Sequence, residues 1–197
     1  MTRSMVSLRP AVPSDAPHLA ELWVDVIRRV GPEDQVADLE AIVARVSASP
    51  DERIVVAEYD GEFAGAVHLE ATTMTALNQE PIVRALSPHV LPRFQRHGIG
   101  SALMDTAVSW AEELGIAHVA TAAVAGSRDA NRFMARIALG PYAVLRVATT
   151  HAVRTRLSAH RRPATSSGGR QLTQVLAVRR SMRRSRAAAT SVTPADG

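Results

Sequence analysis

Apolar and polar positions alternate with two different periods along the first 150 residues. Leu19, Leu22, Trp23, Val26, Ile27 and Val30 stand at helical spacing and predict a helix. Pro13-Ser14-Asp15 ahead of them carries N-cap chemistry, and Gly31 sits where a C′ glycine would end the helix. Val36, Leu39, Ile42, Val43 and Val46 predict a second helix that stops before Pro50. Val6–Arg9 is short and strand-like. Ile54–Tyr59 and Phe63–Glu70 flank Asp60-Gly61 and predict a hairpin with a tight turn. Ala71–Pro81 is polar and aperiodic, so a loop is expected. Ile82–Leu91 predicts another strand. Pro88 inside it cannot donate to a ladder and implies an edge or a bulge.

Beyond this strand Gly98-Ile99-Gly100 opens a long helix, with Ile99, Leu103, Val108, Ala111 and Leu114 as its expected buried side and Gly115 as its end. A buried strand Ile116–Val124, a short helix Asp129–Leu139 and a last strand Tyr142–Thr149 complete the pattern. Hairpin, strand, helix, strand, helix, strand is an α/β (α+β) order, with two helices inserted ahead of the hairpin. Periodicity changes after residue 149. Ala152–Arg162 reads as a short basic helix, Pro163–Gly169 as a linker, Gln171–Arg186 as a basic amphipathic helix and Ala187–Gly197 as disordered. The expected organisation is a domain over 1–149 and a basic, partly helical, partly disordered extension over 150–197.

Charge sharpens that boundary. Residues 1–150 hold 13 arginines against 18 carboxylates, a net of −5; residues 151–197 hold 10 arginines against Asp196, a net of +9. There is no lysine and no cysteine among the 197 residues. Disulfides, thiolate metal sites and a cysteine nucleophile are therefore excluded. No apolar run is long enough to span a membrane, and the N-terminus has no apolar signal core, so a cytoplasmic address is expected. No His, Asp and Glu spacing suggests a metal.

The chemistry concentrates in Val90-Leu91-Pro92-Arg93-Phe94-Gln95-Arg96-His97-Gly98-Ile99-Gly100-Ser101. Read physically, this is a strand end, a glycine-bearing turn and a helix start. Glycines at 98 and 100 let backbone approach a ligand without a Cβ in the way. The free N–H groups of the first turn, with the helix dipole behind them, suit a phosphate or pyrophosphate. Arg93 and Arg96 add positive charge. The third glycine of the dinucleotide fingerprint is missing, and so is the Gly-Lys-Ser/Thr of a P-loop.

Gln95-Arg96-His97-Gly98-Ile99-Gly100 resembles the Q/R-x-x-G-x-G/A signature of the GNAT superfamily of acyl-CoA-dependent N-acyltransferases. Val90 and Pro92 fall where that family has V-x-P. The resemblance covers roughly residues 5–149. It implies a central mixed sheet flanked by helices, here with an Arg-rich helical C-terminal extension. It also implies acetyl-CoA as co-substrate, an amine as acceptor and direct transfer without a covalent intermediate. The strand before the signature would splay at a bulge near Pro88, with the pantetheine arm beside Val90, Leu91 and Pro92. The pyrophosphate would lie on amides of Gln95, Arg96, His97, Gly98, Gly100 and Ser101, around Ile99. A backbone N–H near Leu91 would polarise the acyl carbonyl.

This sequence departs from the family where an acid is expected. Ser127 replaces Asn, Met134 replaces the usual Tyr and Ala138-Leu139 replace Gly-Phe, although Ala130 fits. Methionine has no proton to donate. Ser127 keeps a hydroxyl for the cofactor. Tyr142 is the nearest tyrosine, beyond the short helix. Arg84 and Leu86 occupy the mid-strand positions where some members carry a base. Glu70, Glu80 and His89 remain as candidate bases. The plainer alternatives are solvated strand-end carboxylates for the first two and a bulge residue bonded to backbone for His89. His68 reads as a sheet residue. Trp23 and Trp110 read as core packing.

The extension has three readings: packing on an acidic body, contact with nucleic acid or a ribosome, and an anionic membrane surface. A homodimer is a further candidate. The first reading of the whole chain is an acetyl-CoA-dependent N-acetyltransferase. A second is a catalytically weak acyl-CoA-binding module whose basic tail docks on RNA, a ribosome or a protein. A third is an acetyltransferase whose tail recruits a nucleic-acid-bound target.

Overall fold

A computed structural model describes residues 5–122 and 127–161. The chain divides into two compact units after Tyr142. In the first unit five strands form one sheet in the order β1 (Val6–Pro10), β2 (Glu52–Tyr59), β3 (Glu62–Thr73), β4 (Pro81–Val90), β5 (His118–Thr121). The first four are antiparallel neighbours, and β5 joins β4 in parallel, so the sheet is mixed. The helices of this unit are α1 (Ala16–Leu22), α2 (Pro32–Ser47), α3 (Ile99–Glu113) and α4 (Arg128–Arg136).

Two cores follow from the strand period of two. Ile54, Val56 and Ala66 pack with Leu19, Leu22, Trp23, Leu39 and Val43 beneath α1 and α2. Val55, Ala57, Val67, Val83 and Ala85 pack with Ile99, Leu103, Ala107 and Trp110 beneath α3. Strand β2 is thus apolar on both sides, which explains its unbroken run Ile54–Ala57. Asp60 and Gly61 both take positive φ, 52° and 84°, as a two-residue hairpin turn requires.

Several expected elements change on folding. The first helix ends at Leu22, not Val30, and Val24 and Val26 are 54% and 53% exposed. Gly31 and Pro32 are instead the N-cap and first residue of α2, where a fixed proline φ suits a helix start. That start signal outweighs the periodicity through Val30. On α3 the buried stripe runs through Ile99, Leu103, Met104, Ala107, Trp110 and Ala111. Val108 stands at its edge and Leu114 is the C-cap, so both are exposed. Strand β3 continues to Thr73, into the expected loop. Strand β5 has only four residues and is partly exposed, not buried.

Tyr142–Thr149, expected as the last strand, has no strand pairing. Its apolar side chains Tyr142, Val144, Leu145 and Val147 are 65% exposed or more, so β-propensity alone did not secure a ladder there. In the second unit α5 spans Thr150–Arg161, with the Thr149 hydroxyl accepting the Ala152 N–H. Gln171–Arg186 and Ala187–Gly197 lie outside the described residues. No described helix is long and apolar enough to cross a membrane.

One buried charge ties the start of the chain to the sheet. Asp15 is 6% exposed and takes Arg9 through both oxygens, at 2.7 and 2.8 Å, and the Val12 N–H at 2.8 Å. Arg9 also donates to Glu58 on β2 at 2.6 Å. The Arg9 hydrogen bonds hold the Asp15 carboxyl below its ordinary range, against the opposing effect of burial. A carboxylate held low in the fold adds stability that is present above about pH 4, and lost as the pH falls through its folded value. Asp15→Asn is expected to lower the unfolding free energy by about 2 kcal/mol at neutral pH and to flatten the loss in acid. Urea unfolding across pH checks both. Equal stability for the two proteins at neutral pH would mean that the ion pair contributes nothing net.

Candidate active site at a strand bulge and a helix start

The site begins with one extra residue in β4. Ala66 pairs with His89, but His68, two residues further along β3, pairs with Leu86, three residues back along β4. The surplus lies at Ser87-Pro88. Ser87 takes φ 47°, in the left-handed region. Pro88 needs no ladder donor there.

The extra residue changes which face each side chain takes. Directly opposed residues share a face. Leu86 opposes His68, and His89 opposes Ala66, so both lie on the α1/α2 side. Val90 packs with the α3 core and Leu91 with the α1/α2 core. Without the surplus residue, His89 would face α3.

Beyond the bulge β4 has its hydrogen-bonded neighbour on one side only. Pairing with β5 stops at Ala85 and Thr121, where the Thr121 hydroxyl donates to the Ala85 carbonyl at 2.8 Å. Among the described residues nothing pairs with the other edge of Leu86–Val90. The Leu91 N–H donates to Ala64 at 2.9 Å and is not free for a ligand. Alternation along the strand turns the N–H and C=O of Val90 to the open edge instead. Gly65 makes this packing feasible: a Cβ there would lie 2.5 Å from the His89 carbonyl oxygen.

A helical turn Pro92–Phe94 follows, then Gln95 extended, Arg96 at φ 68° and Gly98 at φ 83° as the N-cap of α3. The Gln95 N–H is used by Pro92. The N–H groups of Arg96, His97, Gly98, Ile99, Gly100 and Ser101 meet no protein acceptor among the described residues, and no side chain caps the helix. Space over Gly98 is open, whereas a Cβ on Gly100 would lie 3.6 Å from the Phe133 ring. Several orphan donors at one helix start form a site for an anion.

Aromatic packing holds this loop. The His97 ring lies 4.7 Å from the Tyr59 ring, and the Phe94 ring lies 5.8 Å from it. His97 thus gives its side chain to packing and leaves its N–H to the loop surface. Arg93 stacks over Phe94. No local motif marks Tyr59 as a support for this loop. As the last residue of β2, one place before the turn, it carried the only available signal.

The remaining candidates scatter. His89 Nδ1 lies 3.0 Å from the Ser87 carbonyl. A carbonyl only accepts, so this nitrogen carries the proton, and the neutral ring keeps its lone pair on Nε2. Glu70 pairs with Arg84 at 3.3 Å, five residues from His89 along β4. Glu80 lies 3.6 Å from His118 at the opposite end of β4, about 30 Å away at ~3.3 Å per residue. Ser127 is the N-cap of α4, its Oγ accepting the Ala130 N–H at 3.3 Å. Tyr142 is 75% exposed. Trp23 is buried, as expected, but also donates its Nε1–H to Ser87 at 2.9 Å. His68 bonds Glu52 at 2.9 Å. A separate cleft of about 390 Å³ on the α1/α2 side is lined by Arg9, Asp15, His18, Glu58, Glu62, Phe63 and Arg93, with both arginines facing carboxylates. The described residues hold no group that would bind a metal.

A strand edge left uncovered by the described residues, beside a helix start with unmet donors, is the arrangement that the resemblance to the GNAT superfamily implies. A family model described as the acetyltransferase (GNAT) family matches residues 18–139, and the chain belongs to that family. A search of curated proteins finds no match. Among solved structures, a transcriptional regulator from Bacillus halodurans aligns with a TM-score of 0.60 at 18% identity, over 74% of this chain and 100% of that one. An aminoglycoside N-acetyltransferase, AAC(6')-Iy, in complex with CoA aligns at 0.59 and 18%, over 76% and 96%. A ribosomal-protein-alanine N-acetyltransferase from Brucella melitensis aligns at 0.55 and 17%, over 74% and 99%. At such identities the likeness is one of fold.

Gly65→Ala should lower stability by about 2 kcal/mol, because its Cβ meets backbone that cannot swing aside. Gly100→Ala should cost nothing or stabilise slightly. Thermal unfolding of both variants checks this. A Gly65→Ala protein that melts with the wild type would show that β3 and β4 do not need their close approach.

Proposed function

We propose that this chain transfers an acetyl group from acetyl-CoA to a primary amine. The observation that carries the reading is the row of N–H groups from Arg96 to Ser101, without protein acceptors among the described residues, beside the β4 edge that no described strand covers. These amides would hold the pyrophosphate, helped by the charge of Arg96, while Arg93 is turned toward Glu62. Val90 would pair with the pantetheine arm and direct its N–H toward the acyl carbonyl. Leu91 and Pro92 would line the arm's path, and the Ser127 hydroxyl stays available as a donor. When bound, acetyl-CoA supplies a thioester-activated acyl group.

His89 is the base this geometry favours. Its Nδ1–H is engaged by Ser87, so Nε2 can accept a proton from the amine as it attacks. Glu70 already faces Arg84 and Glu80 lies beside His118, and both stand away from the bulge. Met134 has no proton to give, and Tyr142 is largely exposed, so the departing sulfur is left to solvent. The acceptor is not chosen by the structural neighbours, whose names span an aminoglycoside, a ribosomal-protein alanine and glucosamine-6-phosphate. Amines as different as these are the panel to screen.

The chain has no cysteine, so a thiol-reactive dye reads only released CoA. Thiol release from acetyl-CoA is expected with at least one amine of such a panel, and His89→Gln should lower kcat by roughly 10²-fold. No release with any amine at millimolar acetyl-CoA would contradict the activity. Release by a His89→Gln protein at the wild-type rate would remove only the base assignment.

A further inference from the structure

The Ser87 carbonyl accepts two hydrogen bonds, from Trp23 Nε1 at 2.9 Å and from His89 Nδ1 at 3.0 Å. A carbonyl oxygen has two lone pairs, so its capacity is full. One donor belongs to the bulge itself. The other stands 64 residues earlier, where α1 ends. Ser87 is a non-glycine residue at φ 47°, a conformation that persists only where the surroundings impose it. Trp23, buried in the α1/α2 core, is the long-range contact that imposes it. Burial alone does not demand such a bond: Trp110 is buried more completely and its Nε1–H has no partner among the described residues.

We propose that Trp23 is a positioning residue for acetyl transfer. Its indole N–H holds the Ser87 carbonyl and thereby keeps the extra residue of β4 in place. That residue sets His89 on the α1/α2 face and turns the backbone of Val90 to the open edge. The role rests on the acetyltransferase reading above. It assigns Trp23 no contact with substrate, since its effect passes through Ser87.

Trp23→Phe removes the N–H and keeps an aromatic ring in the core. Ser87→Gly in the same chain lets the bulge hold its positive φ without strain. Steady-state thiol release on the full chain, with an amine that the wild type accepts, gives kcat and the KM for acetyl-CoA; thermal unfolding accompanies each protein. Trp23→Phe should lower kcat about tenfold with KM changed by less than about twofold, because the Arg96–Ser101 amides are untouched. The double variant should recover most of the loss. A packing role alone would leave the double variant as slow as the single one.

A Trp23→Phe protein with wild-type kcat overturns the proposal, and so does a double variant that gains nothing. If Trp23→Phe does not fold, recovery of folding and turnover by Ser87→Gly supports the clamp, and failure to recover overturns it. A wild type that neither releases thiol nor melts higher with millimolar acetyl-CoA sinks the acetyltransferase reading and this role with it. An active wild type with an unaffected Trp23→Phe sinks this role alone.

Discussion

The surplus residue at Ser87-Pro88 governs the face and edge that every later atom of β4 presents. A strand has a side-chain period of two, so one inserted residue exchanges the faces of all that follows. Ala85 lies in the α3 core and Leu86 on the α1/α2 side before the insertion. After it, Val90 takes the α3 side and His89 and Leu91 the other. The same shift decides which amides meet β3 and which point to the other edge of β4. The strand's first half is an ordinary inner strand, whereas its second half has, among the described residues, a paired neighbour on the β3 side alone.

Fixing that insertion takes contacts from several elements. Gly65 lets β3 pass within reach of the His89 carbonyl, where any side chain would intrude. Trp23 reaches in from the end of α1. Beyond the strand, Tyr59 backs the loop through Phe94 and His97. The loop then passes through two positive-φ residues, Arg96 and Gly98, before α3 begins. Among the described residues the N–H groups from Arg96 to Ser101 meet no protein acceptor, whereas buried backbone donors are ordinarily paired. Concentrated at one helix start, such donors suit an anionic ligand.

Much of this was legible in the residues. Asp60-Gly61 marked the hairpin, Pro88 marked a break in the β3/β4 ladder, and Gly98-Ile99-Gly100 marked the helix start, because each of these depends on local backbone chemistry. What failed depended on tertiary context. Val24 to Val30 kept a helical period that the Gly31-Pro32 start overrode. Tyr142 to Thr149 had strand composition without a strand partner. An N–H near Leu91 was expected to face an acyl carbonyl; the Leu91 N–H itself goes to Ala64, and edge alternation leaves the neighbouring Val90 N–H at that edge. The contacts of Trp23 and Tyr59 join residues 35 to 64 positions apart, and no local pattern encodes such a pairing.

Backbone amide exchange with and without acetyl-CoA tests most directly whether this strand edge and helix start form one cofactor site. Slowed exchange is expected at Arg96–Ser101 and at Val90 together, with the edge strand Val6–Pro10 unchanged. No slowing at either stretch under saturating acetyl-CoA, or slowing confined to a different face of the sheet, would contradict it.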